Sequence, residues 1–478
     1  MQSAKSTLLN GTQRFAILSF LFSSLFSSGL KAQDNSPYSR FGIGNLMPVS
    51  NTANRGMGGI SAAYVDYTGI NWQNPASYSA FVTLKEARSN KLEFGRAVLD
   101  VGVNITNRTL VAPNTPNRFT SSDLLFSYLQ LGVPLKTNWG LSFGIRPISR
   151  INYRIDRSER LIDPVSGNVI DSAITQFRGD GGSYLPTIGT GVGFTLSEKA
   201  TSAYRKISTL RLGANLGYYF GNRETKTLRN ILDLDTVSVY YASNHTVTSS
   251  FGDLFLNGGL QYEFSNRNEA KKQTTVFRFG ISGNLEQKLN GLQDRLVQTY
   301  TLGSAGEELQ IDSVFEEKER KGELVYPSTY KVGFVIQRMK DNFSGWMIGA
   351  DFSQGKWNDY RFFGQQDSVK DNWEVSVGAS FNGKPGSNYF SNVTYRLGFF
   401  TGPDYISVGN ELPQIGVSLG LGLPIRNYNR LTNQSTLINL AFEYGKRGND
   451  ENVLKENLFR LSVGFNFNDV WFRKRKYD

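Results

Sequence analysis

The chain contains no cysteine and only one histidine, His245, among its 478 residues. The absence of cysteine excludes disulfides, thiolate metal sites and cysteine nucleophiles, and it excludes a lipoprotein, which needs a cysteine at its mature start. A single histidine cannot build a histidine-based metal cluster, and a Ser-His-Asp triad could use only His245. Neither a Walker loop nor a helix-opening G-x-G-x-x-G is present. We therefore predict a protein that is not an enzyme and that has no cofactor and no metal.

Charge and long apolar runs are also scarce. Charged residues make up 19% of the chain, against about 25% in soluble proteins. After the first 32 residues, no segment approaches the ~20 apolar residues of a membrane helix. The net charge of +11 is spread over the chain, apart from one dense basic run, RKRK, at 473–476. We interpret this run as a solvated tail, or alternatively as a docking site for a periplasmic partner, and we predict no binding of nucleic acid.

The start of the chain has the pattern of a secretory signal peptide. Lys5 and Arg14 precede the apolar run FAILSFLFSSLFSSGL, which is followed by Lys31 and Ala32. The run is short and interrupted by serines, which argues against a membrane anchor. We predict that residues 1–32 are cleaved near Ala32 and that the mature protein is exported.

Glycine and aromatic residues are abundant, with 49 glycines and 13% Phe, Trp and Tyr. From about residue 91 onward, segments of about ten residues alternate apolar and polar side chains. LRLGANLGY at 210–218 and FRLSVGFNF at 459–467 are two examples. A period of two places each set on one face of a strand.

This alternation would also suit a soluble secreted β-protein, which stays open as an alternative. The apolar face carries bulky aliphatic and aromatic residues, whereas the other face carries Gly, Ser, Asn and charges and could not fill a core. We therefore predict a transmembrane antiparallel β-barrel of about 14 strands over residues 89–468. The strands are expected near 91–107, 120–133, 139–155, 185–196, 208–221, 246–264, 274–287, 328–339, 344–354, 372–382, 391–401, 412–424, 435–446 and 457–468.

Two further features belong to the predicted barrel. Residues 156–184, 222–245 and 288–327 are expected as long surface loops, although 237–245 could be another strand. Aromatic residues at strand ends are expected to form the interfacial girdles; they are Trp139, Tyr219, Trp346, Trp373 and Trp471. An even number of strands places both chain termini in the periplasm, with residues 469–478 as a basic periplasmic tail.

Residues 37–81 follow neither period for long. The segment is rich in glycine, and Asn74-Pro75 marks a turn because proline disfavours helical geometry at the preceding residue. It also contains apolar residues such as Ile60 and Trp72, so it is not a disordered tail. We interpret it as a compact, irregular segment that must be enclosed by another part of the chain.

NRGMGGISAAY and NPASY, placed between a signal peptide and a long β-patterned region, resemble the FadL family of Gram-negative outer-membrane transporters. The residue-level match covers Asn74, Pro75 and Ala76, with Gly56, Gly58 and Gly59 as the upstream glycines. The resemblance implies that residues 33–88 form an N-terminal hatch inside a fourteen-stranded barrel. It also implies an outer-membrane location in a Gram-negative bacterium.

The third expected strand, WGLSFGIRPISRINYRI, contains a proline in its middle. Proline cannot donate a hydrogen bond to the ladder, and unmatched backbone groups that face lipid cost several kcal/mol. We therefore expect a bulge or kink at Arg146, Pro147 and Ile148. The FadL resemblance implies that this strand borders a lateral gap beside the hatch.

The resemblance implies passive uptake of hydrophobic, fatty-acid-like small molecules through a hatch-gated barrel with a lateral exit. The partners would then be outer-membrane lipid and the hydrophobic substrate. The alternative is a FadL-like barrel that acts as a structural or carrier subunit of an outer-membrane protein secretion or barrel-assembly complex. Its partners would be other outer-membrane or periplasmic proteins.

Overall fold

The computed structural model describes residues 35–85, 92–113, 118–162, 165–167, 169–232, 241–302, 308–341, 343–425 and 435–471. The predicted signal peptide, residues 472–478 of the predicted tail and residues 237–240 lie outside this part of the chain. None of the helices within it is long and apolar enough to cross a membrane.

The described residues form nineteen strands and a few short helical turns. The strands are β1 (Asn45–Leu46), β2 (Thr83–Lys85), β3 (Leu92–Val111), β4 (Arg118–Lys136), β5 (Trp139–Ile162), β6 (Val169–Ala200), β7 (Tyr204–Leu232), β8 (Ala242–Asn268), β9 (Gln273–Asn284), β10 (Gln287–Leu302), β11 (Glu308–Tyr326), β12 (Thr329–Lys340), β13 (Gly345–Gly355), β14 (Arg361–Phe362), β15 (Asn372–Asn382), β16 (Thr394–Pro403), β17 (Pro413–Ile425), β18 (Ser435–Arg447) and β19 (Lys455–Trp471). The helical elements are α1 (Thr52–Arg55) and 3₁₀ turns at Pro37–Arg40, Pro75–Ala80, Trp357–Asp359 and Tyr389–Asn392.

Fourteen of these strands form a closed antiparallel ring. Strands β3 to β9 pair in sequence, β9 pairs with β12, and β12, β13 and β15 to β19 continue in order. The last strand, β19, pairs with β3 from Lys455↔Val111 to Trp471↔Gly95 and closes the ring. The predicted barrel of 14 strands is therefore confirmed. Closure gives each of these strands a neighbour on both sides, as lipid requires.

The apolar face of each strand points outward. In β7, Leu212, Leu216 and Tyr218 are exposed, whereas the intervening Arg211 and Asn215 are buried. An outer surface of large apolar side chains would be unfavourable in water, because about 25 cal/mol per Å² is gained when such surface is buried. This pattern is that of a barrel in the outer membrane.

The aromatic girdle is confirmed only in part. Trp346 and Trp373 are exposed on the outer face, and the Trp139 indole donates to Thr190 Oγ1 at 2.7 Å. The prediction for Tyr219 is wrong, because odd-numbered positions of β7 point into the barrel and this side chain is completely buried. The side chain of Trp471 lies outside the described residues.

The prediction of long surface loops is also wrong, because most of the described residues in these three ranges form strands. β6, β7 and β8 have 32, 29 and 27 residues, whereas about 9–11 suffice to cross a membrane. The described residues of 156–184 and 222–245 mostly continue β5 to β8, and those of 288–326 belong to β10 and β11. Outside the membrane both faces of a strand contact water. The apolar alternation that identifies a membrane strand is therefore missing here.

These extensions form one sheet beyond the barrel, in the order β5-β6-β7-β8-β10-β11, which we call the raised sheet. The change of neighbours occurs on β8, where Gly258 to Asn268 pair with β9 and Ala242 to Phe251 pair with β10. The raised sheet lies at the end of the barrel opposite the short turns that join β4 to β5 and β12 to β13.

Most of residues 35–85, the N-terminal segment, lies inside the ring against glycines of its inner wall, and its last residues form β2, which pairs with β3. A Cβ atom would lie 1.9 Å from the Ala62 oxygen if added at Gly280, and 1.9 Å from the Gly58 nitrogen if added at Gly398. These glycines belong to β9 and β16, and glycines of β5 to β8, β15 and β17 approach the same segment. The segment therefore contacts most of the circumference. This close approach explains why glycine is frequent on the inward face.

We predict that Gly398→Ala destabilises the protein by about 1–3 kcal/mol, the usual cost of overpacking. The matched control is Gly193→Ala, which also points inward but whose Cβ would lie 3.4 Å from Ser79 Oγ, an ordinary contact. The measurement is the free energy of unfolding from a urea titration in detergent. Equal stabilities of the two variants would contradict a tightly fitted interior.

Candidate functional site

The barrel wall is interrupted between β4 and β5. Their ladder runs from Lys136↔Trp139 to Leu129↔Ile145 and ends there, although both strands continue for many residues. On its other side, β5 remains paired with β6 as far as Ile162. We call the opening above Leu129 and Ile145 the β4–β5 gap.

Arg146, Pro147 and Ile148 lie at the start of this gap. The ladder of β5 with β6 shifts register between Pro147 and Ser149, so Ile148 is the additional residue of a bulge. Pro147 has no N–H for the ladder, which is why a bulge occurs at this position. Ile148 is buried in an apolar cluster, and the Arg146 guanidinium donates to the Val49 carbonyl at 3.4 Å.

Residues 35–47 of the N-terminal segment, which we call the strap, lie along the free edge of β5. Asn45 and Leu46 form β1 and pair with Arg150 and Ser149. The Met47 N–H donates to the Ile148 carbonyl at 2.9 Å, and the Ser36 N–H donates to the Asn152 carbonyl at 3.1 Å. These bonds satisfy backbone groups that the interrupted ladder leaves open, so the strap seals the gap on the side of β5.

An ion pair connects the two strands across the gap. Arg150 Nη1 lies 2.5 Å from Asp123 Oδ2 of β4. Asp123 is buried, and Arg150 keeps partial contact with water. A side-chain bridge therefore holds β4 and β5 together where no backbone ladder does.

A second, buried ion network binds the strap to β18 and β19. Glu456 of β19 accepts hydrogen bonds from Ser36 Oγ at 2.8 Å and from Arg108 at 2.6 Å. Arg447 of β18 bonds to Glu456 at 3.0 Å and to Asp404 at 2.7 Å. The Arg150–Asp123 pair across the gap and the Glu456 network at the strap thus both consist of charged side chains that point inward.

The Asn-Pro-Ala motif fixes the later part of the N-terminal segment. Asn74 precedes the 3₁₀ turn of which Pro75 is the first residue, and its side chain accepts from the Ala76 N–H at 3.2 Å. The Asn74 amide also donates to the Ala62 carbonyl at 2.6 Å. A Cβ atom at Gly259 of β8 would lie 2.0 Å from Asn74 Oδ1. The motif therefore occupies a notch in the wall that only glycine leaves open.

Gly56, Gly58 and Gly59 form the turn after α1. Gly58 and Gly59 have φ values of +68° and +83°, which side chains other than glycine rarely adopt. The Gly58 N–H donates to Ser418 Oγ of β17 at 2.9 Å, and a Cβ atom at Gly56 would lie 2.7 Å from the Gly420 Cα. Conformation and close approach both require glycine here.

The interior contains a cavity of about 290 Å³ between the N-terminal segment and the wall of β12 to β19. Its charged lining consists of Arg55, Arg108, Lys331, Lys446, Arg447, Arg460, Glu374, Asp404, Glu443 and Glu456. Apolar side chains also line it, including Leu46, Val49, Trp373, Phe400 and Leu458. The apolar side chains next to the strap are packed together, including Tyr38, Tyr219, Tyr326, Trp357 and Tyr405.

The model of the BamG family matches residues 13–478. The chain belongs to the BamG family. No curated protein matches it.

Several solved structures are similar to this BamG-family chain. The CymD monoaromatic hydrocarbon channel has 14% identity and a TM-score of 0.46, with 89% of this chain and 98% of that chain covered. A FadL homologue of Pseudomonas aeruginosa has 12% identity, coverage of 90% and 99%, and a TM-score of 0.49. The toluene transporter TodX of Pseudomonas putida has 14% identity, coverage of 88% and 97%, and a TM-score of 0.44.

Arg55 is a central residue of this BamG-family interior that the sequence reasoning missed. It is buried in α1. Its guanidinium donates to Asn104, to Ser462 Oγ at 2.9 Å and to Ser127 Oγ at 2.8 Å, and to two carbonyls of its own segment. One side chain thereby joins the N-terminal segment to β3, β4 and β19.

Asp351 of β13 has a similar role that was also missed. Its carboxylate accepts from the Ser61 N–H at 2.6 Å and from the Ala62 N–H at 2.9 Å. The available signal was a charged residue at an inward position of an otherwise Gly- and Ser-rich strand face. Asp351 fits that description, whereas Arg55 lies in an irregular segment with no period.

We predict that Arg150→Gln lowers the free energy of unfolding by about 1–3 kcal/mol, because the buried Asp123 carboxylate loses the charge-assisted hydrogen bond from Arg150. The double variant with Asp123→Asn should recover part of this loss. Arg205→Gln serves as the control, since Arg205 pairs with Glu198 at 2.6 Å on the exposed surface and such pairs contribute about 0–1 kcal/mol. Additive effects of the two gap substitutions would refute the bridge.

Proposed function

We propose that the protein is a structural subunit of an outer-membrane barrel-assembly complex. The observation that supports this function best is an interior occupied by the protein's own N-terminal segment. Membership in the BamG family fits this function as well. The partners are other outer-membrane or periplasmic proteins, with the outer face of the barrel in lipid.

Because the N-terminal segment occupies the interior, small molecules could pass through the barrel only if this segment moved. Moving the segment would break the contacts of Arg55 and Asp351 and the backbone contacts at the wall glycines. Each buried polar group left without its partner costs about 1–3 kcal/mol. These costs favour an N-terminal segment that stays inside the barrel. The protein would then act in the complex through its outer surfaces.

The raised sheet supplies such a surface. It extends β5 to β8 well beyond the length needed to cross the membrane and adds the hairpin of β10 and β11. A pore would not need this extension. A subunit that contacts other proteins beyond the membrane would use it.

We expect the tagged protein, extracted from native membranes in mild detergent, to copurify with other membrane proteins in fixed stoichiometry. The measurement is native mass determination followed by identification of each component. An unrelated tagged barrel of similar abundance is the control for incidental membrane neighbours. A protein that emerges alone under every mild condition would refute the subunit function.

The β4–β5 gap favours a second candidate, a passive channel for hydrophobic small molecules. A molecule that enters the barrel could leave sideways into lipid where the ladder ends at Leu129 and Ile145. The strap covers β5 at this point, so transport requires the strap to move. In this candidate, Pro147 maintains the lateral exit and the N-terminal segment acts as the hatch.

A disulfide that locks the strap tests this candidate. Leu46→Cys with Ser149→Cys places two cysteines at directly opposed positions of an antiparallel pair, about 4.5–5.5 Å apart at Cα, and no native cysteine interferes. If the gap is the exit, uptake of a labelled fatty acid should fall on oxidation and return on reduction. The single-cysteine variants are the controls, and equal uptake in both states would exclude the exit.

A further inference from the structure

The edge of β11 that faces away from β10 is largely unpaired within the described residues. β11 pairs with β10 along its length. On the other side, the described residues pair with it only at Leu324 and Val325, through β14, and the Phe363 N–H donates to the Glu323 carbonyl. Within the described chain, residues 308–322 therefore have no strand neighbour on this side.

The half of this edge nearer the barrel is protected against pairing. Glu319 has a φ of +54°, and the ladder with β10 shifts register opposite Glu317 and Arg320. Lys318, Arg320 and Lys321 add charge. Irregularities and lysines are the usual devices that prevent unwanted pairing at a sheet edge.

The distal half has no lysine or arginine and no residue of positive φ, although its ladder with β10 also shifts register at Ile311 and Val314. Leu309, Ile311, Val314 and Phe315 are 48%, 44%, 66% and 49% exposed. Lipid does not account for this exposure, because the twelve residues of the neighbouring barrel strand β12 already suffice to cross the membrane. Clustered apolar residues on a water-facing edge mark a contact site.

The charge of the distal half indicates which kind of partner fits. Residues 308–317 contain four carboxylates and no cation, although the whole chain has a net charge of +11. Two of the four lie near cations outside the stretch, Glu316 at 2.7 Å from Lys318 and Glu317 at 3.9 Å from Arg295. The edge is therefore apolar and acidic, and a partner of complementary chemistry is apolar and basic.

We propose that residues 309–315 of β11 bind an extended segment of another protein in the complex, which adds as a further strand to the raised sheet. Main-chain hydrogen bonds to the free edge supply affinity, and alternate side chains supply specificity. The segment combines apolar residues with lysines or arginines that face the carboxylates of Glu308 and Asp312. This inference rests on the proposed subunit function and names its contact surface.

A photo-crosslinking residue at Leu309 in the full-length protein, activated in native membranes, tests the proposal. The same residue at Lys321 is the control on the protected half of the strand. We expect an adduct at position 309, at least tenfold stronger than at 321, with a protein that also copurifies in fixed stoichiometry. Mass spectrometry should locate the linked peptide in a segment that contains apolar residues and lysine or arginine.

A charge reversal provides the second arm. Ile311→Lys removes an apolar contact and repels a basic segment, so the adduct at Leu309 should fall at least tenfold. Val169→Lys, at a similarly exposed apolar site on β6, should leave the adduct unchanged. The heat-dependent mobility shift in SDS gels verifies that each barrel is folded.

The outcomes distinguish a failure of the β11 proposal from a failure of the proposed subunit function. Stoichiometric partners without an adduct at position 309, or with equal adducts at 309 and 321, overturn the β11 proposal and leave the subunit function intact. A purified protein without any partner overturns both. An adduct between two copies of this chain overturns the choice of a different protein as the occupant.

Discussion

The structure depends on one constraint, that backbone N–H and C=O groups next to lipid must be hydrogen-bonded within the protein. Thirteen of the fourteen junctions in the ring continue as ladders, and the β4–β5 junction ends early at Leu129 and Ile145. The strap and the Arg150–Asp123 ion pair compensate for the interruption. The irregular N-terminal segment is therefore a part of the wall as well as a filling of the interior.

The same tight fit that stabilises the interior limits what the barrel can transport. Inward glycines allow the backbone of the N-terminal segment to approach the wall closely. Arg55 and Asp351 then bind it to strands on different sides of the ring. A route for small molecules would have to displace these contacts. A surface for other proteins would use the raised sheet and leave them unchanged, which is why the subunit function agrees better with the geometry.

Much of the fold could be predicted, and the reason is visible in single strands. LRLGANLGY and FRLSVGFNF repeat with a period of two because one face meets lipid and the other meets the interior, so the number of barrel strands follows from the pattern. The prediction failed where this difference between faces disappears. Residues 308–323 of β11 contact water on both faces and do not keep a period of two, so this strand was taken for a loop. Tyr219 was placed in the girdle although its odd-numbered position points inward.

The sequence by itself determined the closed barrel, and it predicted an irregular segment within the barrel and a bulge at Pro147. These features rest on local properties: alternation along one strand, the freedom of glycine and the missing N–H of proline. Only the tertiary structure decided the partners of the charged residues. Ser36 and Glu456 are separated by 420 positions and meet in one hydrogen bond of 2.8 Å, and Arg150 meets Asp123 across an interrupted ladder. Such contacts depend on ring closure and register, which no single segment contains.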